Sequence, residues 1–244
     1  MADYAAVHRG ANAGFPGTTR CAAGHRADGL TEENRIMHLA PRFVLTGRLL
    51  SPFVRRVAVT LTHLGICFER QILSAIDDVA EIERTNPIGR VPALVLPGGE
   101  TLIDSAAILD HFDEQAGREH ALVPAAGAPR RRALYLLALS CGTIERAMVA
   151  NAERRRPVPL QMPDRLARLL RQTCQGFEAL DRELAGDDWF IAGHPMQPDM
   201  TTAVGVTFVR HIFPDLLDKA RIPRLDALTA RCEALPAFRA MQID

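Results

Sequence analysis

Three short stretches of the sequence carry residues that could hold and activate a small polar molecule. Ser51 stands before a proline at the start of an amphipathic run, where serine is a favoured helix N-cap. Val91 precedes Pro92 at the start of an apolar run, and because proline cannot donate a backbone hydrogen bond, the backbone of Val91 is left free to pair with a guest peptide. The pair Asp104-Ser105 gathers a carboxylate, a hydroxyl and unpaired backbone N–H groups at a helix start. A plain helix cap and a strand-edge proline are the structural alternatives.

The elements around these stretches are predicted to be short strands that alternate with helices. Residues 43–45 favour a strand, and apolar residues at helical spacing predict a helix from Ser51 to Gly65. Residues 67–73 favour a second strand, which a strand-helix-strand connection makes parallel to the first. The turn 86–89, the apolar run 93–96 and a Pro-Gly-Gly hairpin predict two further strands ahead of Asp104.

The later part of the chain is predicted to be helical. Gly117 and the segment 124–129 indicate a linker, a long helix is predicted over 129–152, and apolar residues from 166 to 184 form one stripe along another helix. We therefore expect a disordered N-terminal extension (1–40), an α/β domain (41–118) and an all-helical domain (128–244).

Charge and composition exclude several classes of function. The formal net charge is zero and the pI is about 7.1, so no nucleic-acid partner is expected. The five cysteines are scattered without metal-ligand spacing, which predicts no metal site. No apolar stretch approaches the roughly 20 residues of a membrane span, and the first residues lack the apolar core of a secretory signal, so we expect a cytoplasmic protein with no membrane partner. Met37 is an alternative translation start.

The three stretches together resemble the glutathione S-transferase family, in its serine-type form. The resemblance rests on Ser-Pro-Phe at 51–53, on Asn-Pro-x-Gly-Arg-Val-Pro-Ala-Leu at 86–94 and on Asp-Ser-x-Ala-Ile at 104–108. It covers about residues 42–239, with few specific motifs in the middle helices. The family fold is a thioredoxin-like α/β domain followed by an all-α domain, which matches the predicted order of elements.

The resemblance implies a role for each of the candidate residues. The hydroxyl of Ser51 faces the sulfur of glutathione and is the predicted catalytic group. Pro92 forms a cis peptide bond, Val91 pairs through its backbone with the cysteinyl part, and the pair Asp104-Ser105 holds the γ-glutamyl end. Arg90 is assigned to the glycine carboxylate, although an arginine in an exposed turn is often only solvated.

The predicted function is a glutathione transferase that attacks a small hydrophobic electrophile with glutathione as co-substrate, in detoxification. Two alternatives stay open: a non-catalytic binding or regulatory protein of the same fold, and a glutathione-dependent isomerase or dehalogenase. The family habit implies a homodimer. The electrophile itself is not identified by the sequence, because apolar side chains that line such a site look like any helix face.

One helix start in the second domain departs from the family pattern. Residues 189–203 resemble the family's entry into its central buried helix, where a serine or threonine cap is followed three residues later by an aspartate. Here Asp199 matches, but Met196 occupies the capping position. The lost cap should lower local stability by about 1 kcal/mol without affecting the chemistry.

Overall fold

The computed structural model describes residues 42–184 and 188–244, and the first part of this range forms a four-stranded sheet. The strands are β1 (Phe43–Thr46), β2 (Phe68–Gln71), β3 (Ala93–Val95) and β4 (Thr101–Ile103). Their order is β2-β1-β3-β4; β1 and β2 are parallel, and β3 runs antiparallel to β1 and β4. The predicted parallel pairing of the first two strands is confirmed, although β2 is shorter than the predicted 67–73. The predicted extension over residues 1–40 lies outside the described residues.

Three helices accompany the sheet: α1 (Pro52–His63), α2 (Val79–Glu83) and α3 (Ser105–His120). Helices α1 and α3 pack against the sheet, and one core joins apolar residues of all three elements, among them Leu45, Val57 and Phe112. Helix α3 is broken by a kink at Gly117, whose backbone is non-helical (φ 67°, ψ 179°), so its main part ends close to the predicted end of the domain at residue 118.

The rest of the described chain is helical. It contains α4 (Gly127–Arg154), a 3-10 turn (Val158–Leu160), α5 (Pro163–Glu183), α6 (Gln197–Ile212), α7 (Pro223–Glu233) and α8 (Pro236–Ala240). The long helix predicted over 129–152 is confirmed and extends two residues further at each end. No strand follows β4 in residues 105–184 or 188–244, so the prediction of an α/β part followed by an all-α part is confirmed.

Helix α1 joins the two halves. Every residue from Pro52 to Leu61 is buried, because one face of α1 covers the sheet and the other packs against the helical part. Across this contact the Arg55 guanidinium forms two hydrogen bonds with the Glu233 carboxylate, at 2.9 and 2.8 Å. The Thr60 hydroxyl donates to Gln197 Oε1 at 3.1 Å. The helix that carries Ser51 at its start is therefore held from both sides.

By length and composition alone, α4 could cross a membrane, since its most apolar 18-residue window has a mean hydropathy of 1.4. Core helices of globular proteins pass the same test. Helix α4 packs along α5 and α6, and its residues Ala133, Leu136, Ile144 and Ala147 are buried. This helix is therefore weak evidence for a membrane span, and the absence of a membrane partner stays a prediction.

Candidate functional site

The register of the sheet brings the three candidate stretches to one edge. Thr46 at the end of β1 pairs with Ala93 at the start of β3, and Ala93 pairs with Ile103 at the end of β4. The loop that leads to Ser51 follows Thr46, the Val91-Pro92 step precedes Ala93, and Asp104 follows Ile103. Residues such as Ser51 and Asp104, which are far apart in the sequence, thus lie at the same edge because three neighbouring strands begin or end at the same level.

Ser51 occupies the N-cap of α1. Its backbone is extended (φ −68°, ψ 119°), and its Oγ accepts a hydrogen bond from the Val54 N–H at 3.4 Å. This distance is long for a hydrogen bond, so the cap interaction is weak. The side chain is half-buried, and α1 has no acidic residue in its first turn to offset the positive end of the helix dipole.

Gly47 is the point where the Ser51 loop and the Val91 loop touch. A Cβ at this position would lie 2.6 Å from Val54 Cγ2 and 3.0 Å from Val91 Cβ. The backbone of Gly47 also has a φ of 128°, in a region that side chains with a Cβ rarely adopt. Glycine therefore allows the first turn of α1 and the Val91 loop to approach each other closely.

The Val91-Pro92 peptide bond is cis, and the loop before it is held by a buried side chain. Asn86, which is 2% exposed, donates from Nδ2 to the Arg90 carbonyl at 2.7 Å and accepts at Oδ1 from the Ile88 N–H at 3.3 Å. The Arg90 side chain itself is exposed. Asn86 belongs to the pattern at 86–94 that resembles the family, but no feature of that pattern indicates this positioning role.

Asp104 and Ser105 differ in exposure, although they are neighbours at the start of α3. Asp104 is exposed, has a φ of 70°, and accepts from the Ala106 N–H at 2.8 Å, whereas Ser105 is buried. Asp104 is the only non-glycine residue with positive φ in residues 42–184 and 188–244. Backbone strain of this kind is typical of ligand-binding sites, which supports a functional interpretation of this turn.

One contact to the Ser51 loop was not predicted. The Leu49 N–H donates to Asp244 Oδ1 at 2.8 Å, and the other carboxylate oxygen of Asp244 accepts from Arg70. Burial would raise the pKa of Asp244, but the hydrogen bond and charge of Arg70 together with the Leu49 N–H hold it below its ordinary value. The two partners are 195 residues apart, and no sequence signal links them.

Metal chemistry finds no support at this edge of the sheet. Within the described ranges, no group of three or more histidine, cysteine, aspartate or glutamate side chains could hold a metal ion. The arrangement instead offers one hydroxyl at a helix start, free backbone groups at a strand end and one exposed carboxylate, which suits a small peptide.

Comparisons with known proteins identify relatives of the chain. The sequence model described as "Glutathione S-transferase, N-terminal domain" matches residues 45–120. The uncharacterized GST-like protein YibF of Escherichia coli is 31% identical over 140 residues, which are 56% of this chain and 67% of that protein. Glutathione S-transferase U6 of Arabidopsis thaliana is 28% identical over 149 residues, or 60% of this chain and 62% of that protein.

Solved structures resemble most of the chain. A glutathione S-transferase from Methylobacterium radiotolerans, solved in complex with glutathione sulfonate, superposes with a TM-score of 0.76 at 27% identity, covering 82% of this chain and 94% of that one. A glutathione transferase family member from Pseudomonas fluorescens with bound glutathione superposes with a TM-score of 0.73 at 26% identity, covering 83% and 99%.

Proposed function

Since the chain belongs to the glutathione S-transferase family, we propose that it is a glutathione transferase, which binds glutathione at the sheet edge and transfers it to a small hydrophobic electrophile. Its fold is the family's thioredoxin-like domain with a helical domain after it. The observation that carries the proposal is the register of β1, β3 and β4, which gathers the three candidate stretches at one level. Two related structures that contain glutathione or its sulfonate add support.

Each candidate residue contacts one part of the tripeptide glutathione. The backbone of Val91, which precedes the cis bond to Pro92 at the strand edge, pairs with the cysteinyl residue. Asp104 binds the γ-glutamyl ammonium, and Ser105 with the N–H groups at the start of α3 binds the γ-glutamyl carboxylate. Arg90, which is exposed, binds the glycine carboxylate.

The chemical step requires glutathione in its thiolate form. A free thiol has a pKa of about 8.5, so a decrease of about 2 units requires roughly 2.7 kcal/mol of preferential stabilisation of the thiolate. The Ser51 hydroxyl can donate a hydrogen bond to the sulfur, and the positive end of α1 adds to it. The thiol proton passes to solvent, the sulfur forms a bond to the electrophilic carbon, and a leaving group departs with its electron pair.

The Ser51→Ala variant tests this role. The cap bond at 3.4 Å is weak, so we expect a loss of stability near the lower end of the range of about 0.5 to 2 kcal/mol for lost caps. The pKa of the bound thiol should rise by about one unit or more, since a hydrogen bond to a charged group contributes roughly 1.5 to 3 kcal/mol. Thiolate absorbance of bound glutathione and conjugation of a generic aromatic halide at saturating glutathione measure the two effects.

Ser74→Ala is the matched control, because the Ser74 hydroxyl also accepts backbone N–H groups in a turn but lies outside the three stretches. An unchanged thiol pKa with unchanged turnover in Ser51→Ala would reduce Ser51 to a helix cap. Retention on immobilised glutathione without any conjugation by the parent protein would favour the binding or regulatory alternative, and turnover of other electrophiles would favour an isomerase or dehalogenase.

We also propose a homodimer in the cytoplasm; the dimer rests on the family habit. Light scattering of the full chain measures the mass in solution, and a monomeric mass at working concentration contradicts the dimer. Fractionation of expressing cells tests the location.

A further inference from the structure

Two residues that follow α8 contact the chain on either side of Ser51. The Met241 carbonyl accepts from Arg55 Nε at 2.8 Å, four residues after Ser51. Asp244 Oδ1 accepts from the Leu49 N–H at 2.8 Å, two residues before Ser51. Met241 also packs against the cores of both halves of the chain. The start of α1 is therefore attached on both sides of Ser51 to a segment that comes from the helical part.

The position of the Ser51 hydroxyl depends on the backbone of the loop before it. The Gly47 N–H donates to the Gln71 carbonyl at 2.9 Å, and the Ser51 N–H donates to the Arg48 carbonyl at 3.0 Å. The cap bond from the Val54 N–H to Ser51 Oγ is 3.4 Å long and holds the side chain only weakly. The loop backbone, rather than the cap bond, therefore fixes the place of the hydroxyl.

Asp244 supplies a hydrogen bond in the middle of this loop. Leu49 is 2% exposed, and its N–H has Asp244 as its partner. A buried N–H that loses its partner costs free energy, so the loop would shift towards another acceptor if Asp244 were absent. The other carboxylate oxygen of Asp244 accepts from Arg70 on β2, the strand that pairs with β1. Arg70 thereby orients the carboxylate towards the loop.

We propose that Asp244 is a positioning residue for the thiolate chemistry, which holds residues 47–50 so that the Ser51 hydroxyl meets the sulfur of glutathione. This role rests on the proposed function of Ser51. Asp244 acts through the backbone of Leu49 and not by contact with glutathione. Displacement of a catalytic group lowers the rate even when the lost contact is away from the reacting atoms.

The Asp244→Ala variant should raise the pKa of the bound thiol and lower turnover together. Below that pKa, turnover follows the thiolate fraction, so a decrease of about two- to tenfold corresponds to a pKa rise of about 0.3 to 1 unit. The difference should narrow at a pH above the thiol pKa of both proteins, where the sulfur is ionised in each. Affinity for S-methylglutathione, which has no ionisable thiol, should change less than about twofold, because the peptide is held by the other two stretches.

Three further variants separate this role from a loss of stability. Asp181→Ala is the matched control, because the Asp181 carboxylate also joins backbone N–H groups, those of Arg224 and Leu225, to an arginine, but at the start of α7. It should lower the melting temperature and leave the thiol pKa unchanged. Glu69→Ala removes an exposed ion pair of β2 and should change neither. Asp244→Asn keeps an acceptor for the loop and should recover most of the turnover that Asp244→Ala loses.

Amide hydrogen exchange of the free protein tests the loop contact without any chemistry. The loop 47–50 should exchange faster in Asp244→Ala than in the parent, and at the parent's rate in Asp181→Ala. Thiolate absorbance of bound glutathione and conjugation rates measure the chemical effect in the same proteins.

Four results would overturn the proposal: unchanged exchange of the loop in Asp244→Ala, an unchanged thiol pKa in Asp244→Ala, an equal rise of the thiol pKa in Asp181→Ala, or no recovery in Asp244→Asn. A parent protein that binds glutathione but conjugates nothing would refute the proposed function instead. A parent that conjugates at the same rate as Asp244→Ala would refute the positioning role alone.

Discussion

Replacement of Asp199 by asparagine should change the stability of the protein in a pH-dependent way. Asp199 is fully buried at the start of α6, where its two carboxylate oxygens accept from the Phe190 N–H and the Met196 N–H, both at 2.9 Å. Burial is the largest influence and raises its pKa from 3.8 to about 6, although the backbone hydrogen bonds act in the opposite direction.

The sign of the pH effect follows from this raised pKa. Because the folded-state pKa of Asp199 exceeds the unfolded value, the native protein binds the extra proton between about pH 4 and pH 6. The resulting stability is present at low pH and is lost as the pH rises through about 6. At pH 5, one unit below the folded pKa, the parent gains about 1.4 kcal/mol relative to pH 7.

Asparagine at position 199 removes this titration and one acceptor. Its amide nitrogen would face a backbone N–H, which costs about 1 to 3 kcal/mol for the unpaired donor. At pH 7 the parent buries a charge whose cost, from a shift of about 2 units, is of order 3 kcal/mol, so the two effects nearly cancel. We expect the unfolding free energy of Asp199→Asn to lie within about 2 kcal/mol of that of the parent at pH 7. At pH 5 the variant should lose about 1.4 kcal/mol of stability relative to the parent, compared with pH 7.

Urea unfolding of the parent and Asp199→Asn at the two pH values measures this difference directly, because all other groups titrate in both proteins and cancel. Asp164→Asn, an exposed acid in the first turn of α5, is the control and should show no such change. A stability difference between parent and Asp199→Asn that stays constant, or that grows as the pH rises, would refute the assigned direction of the pKa shift.

Three further variants test how the sheet edge is held together. Gly47→Ala should destabilise the protein by several kcal/mol and abolish glutathione binding, because the added methyl group would lie 2.6 Å from a valine of α1 and the backbone φ of 128° is strained for alanine. Melting temperature measures the stability and calorimetry measures glutathione binding; a variant that melts and binds like the parent contradicts the close approach. Asn86→Ala removes two hydrogen bonds inside the buried turn and should lower unfolding free energy by about 1 to 3 kcal/mol and weaken glutathione binding, whereas Asn151→Ala, at an exposed bond, should do neither. Asp244→Ala leaves the N–H of the buried Leu49 without its partner, so it should lower turnover by about two- to tenfold and the unfolding free energy by about 1 to 3 kcal/mol. Unchanged turnover would exclude a positioning role.

Local sequence patterns were sufficient for the elements that carry the site. The helix after Ser51, the parallel pairing of β1 and β2 and the helix start at Asp104-Ser105 each follow from capping residues, periodicity or connection rules, and the structure has all of them. The three stretches lie at one edge because β3 pairs in antiparallel register with both β1 and β4. The hairpin at 97–99 is sufficient to predict the pairing of β3 with β4, but the register of the whole edge also depends on the pairing of β3 with β1. The roles of the individual site residues stay predictions.

Contacts between distant parts of the chain could not be predicted in this way. Asp244 reaches Leu49 across 195 residues, and neither residue type nor spacing indicates the pair. The exact ends of elements also depended on tertiary context: β2 ends at Gln71 because its partner strand β1 ends at Thr46, although the apolar pattern continues to residue 73.

The two buried arginines of α1 show why residue type alone does not predict the state of a charge. Arg55 and Arg56 are adjacent, and successive residues on a helix point about 100° apart, so the two side chains face different neighbours. Arg55 meets the Glu233 carboxylate, whose Oε1 also accepts from the Thr207 hydroxyl at 2.6 Å, and the pair links the sheet domain to α6 and α7. Arg56 meets a thiol and a cavity. The same residue type, at the same depth, therefore joins the two halves through a carboxylate at one position and contacts a thiol at the next.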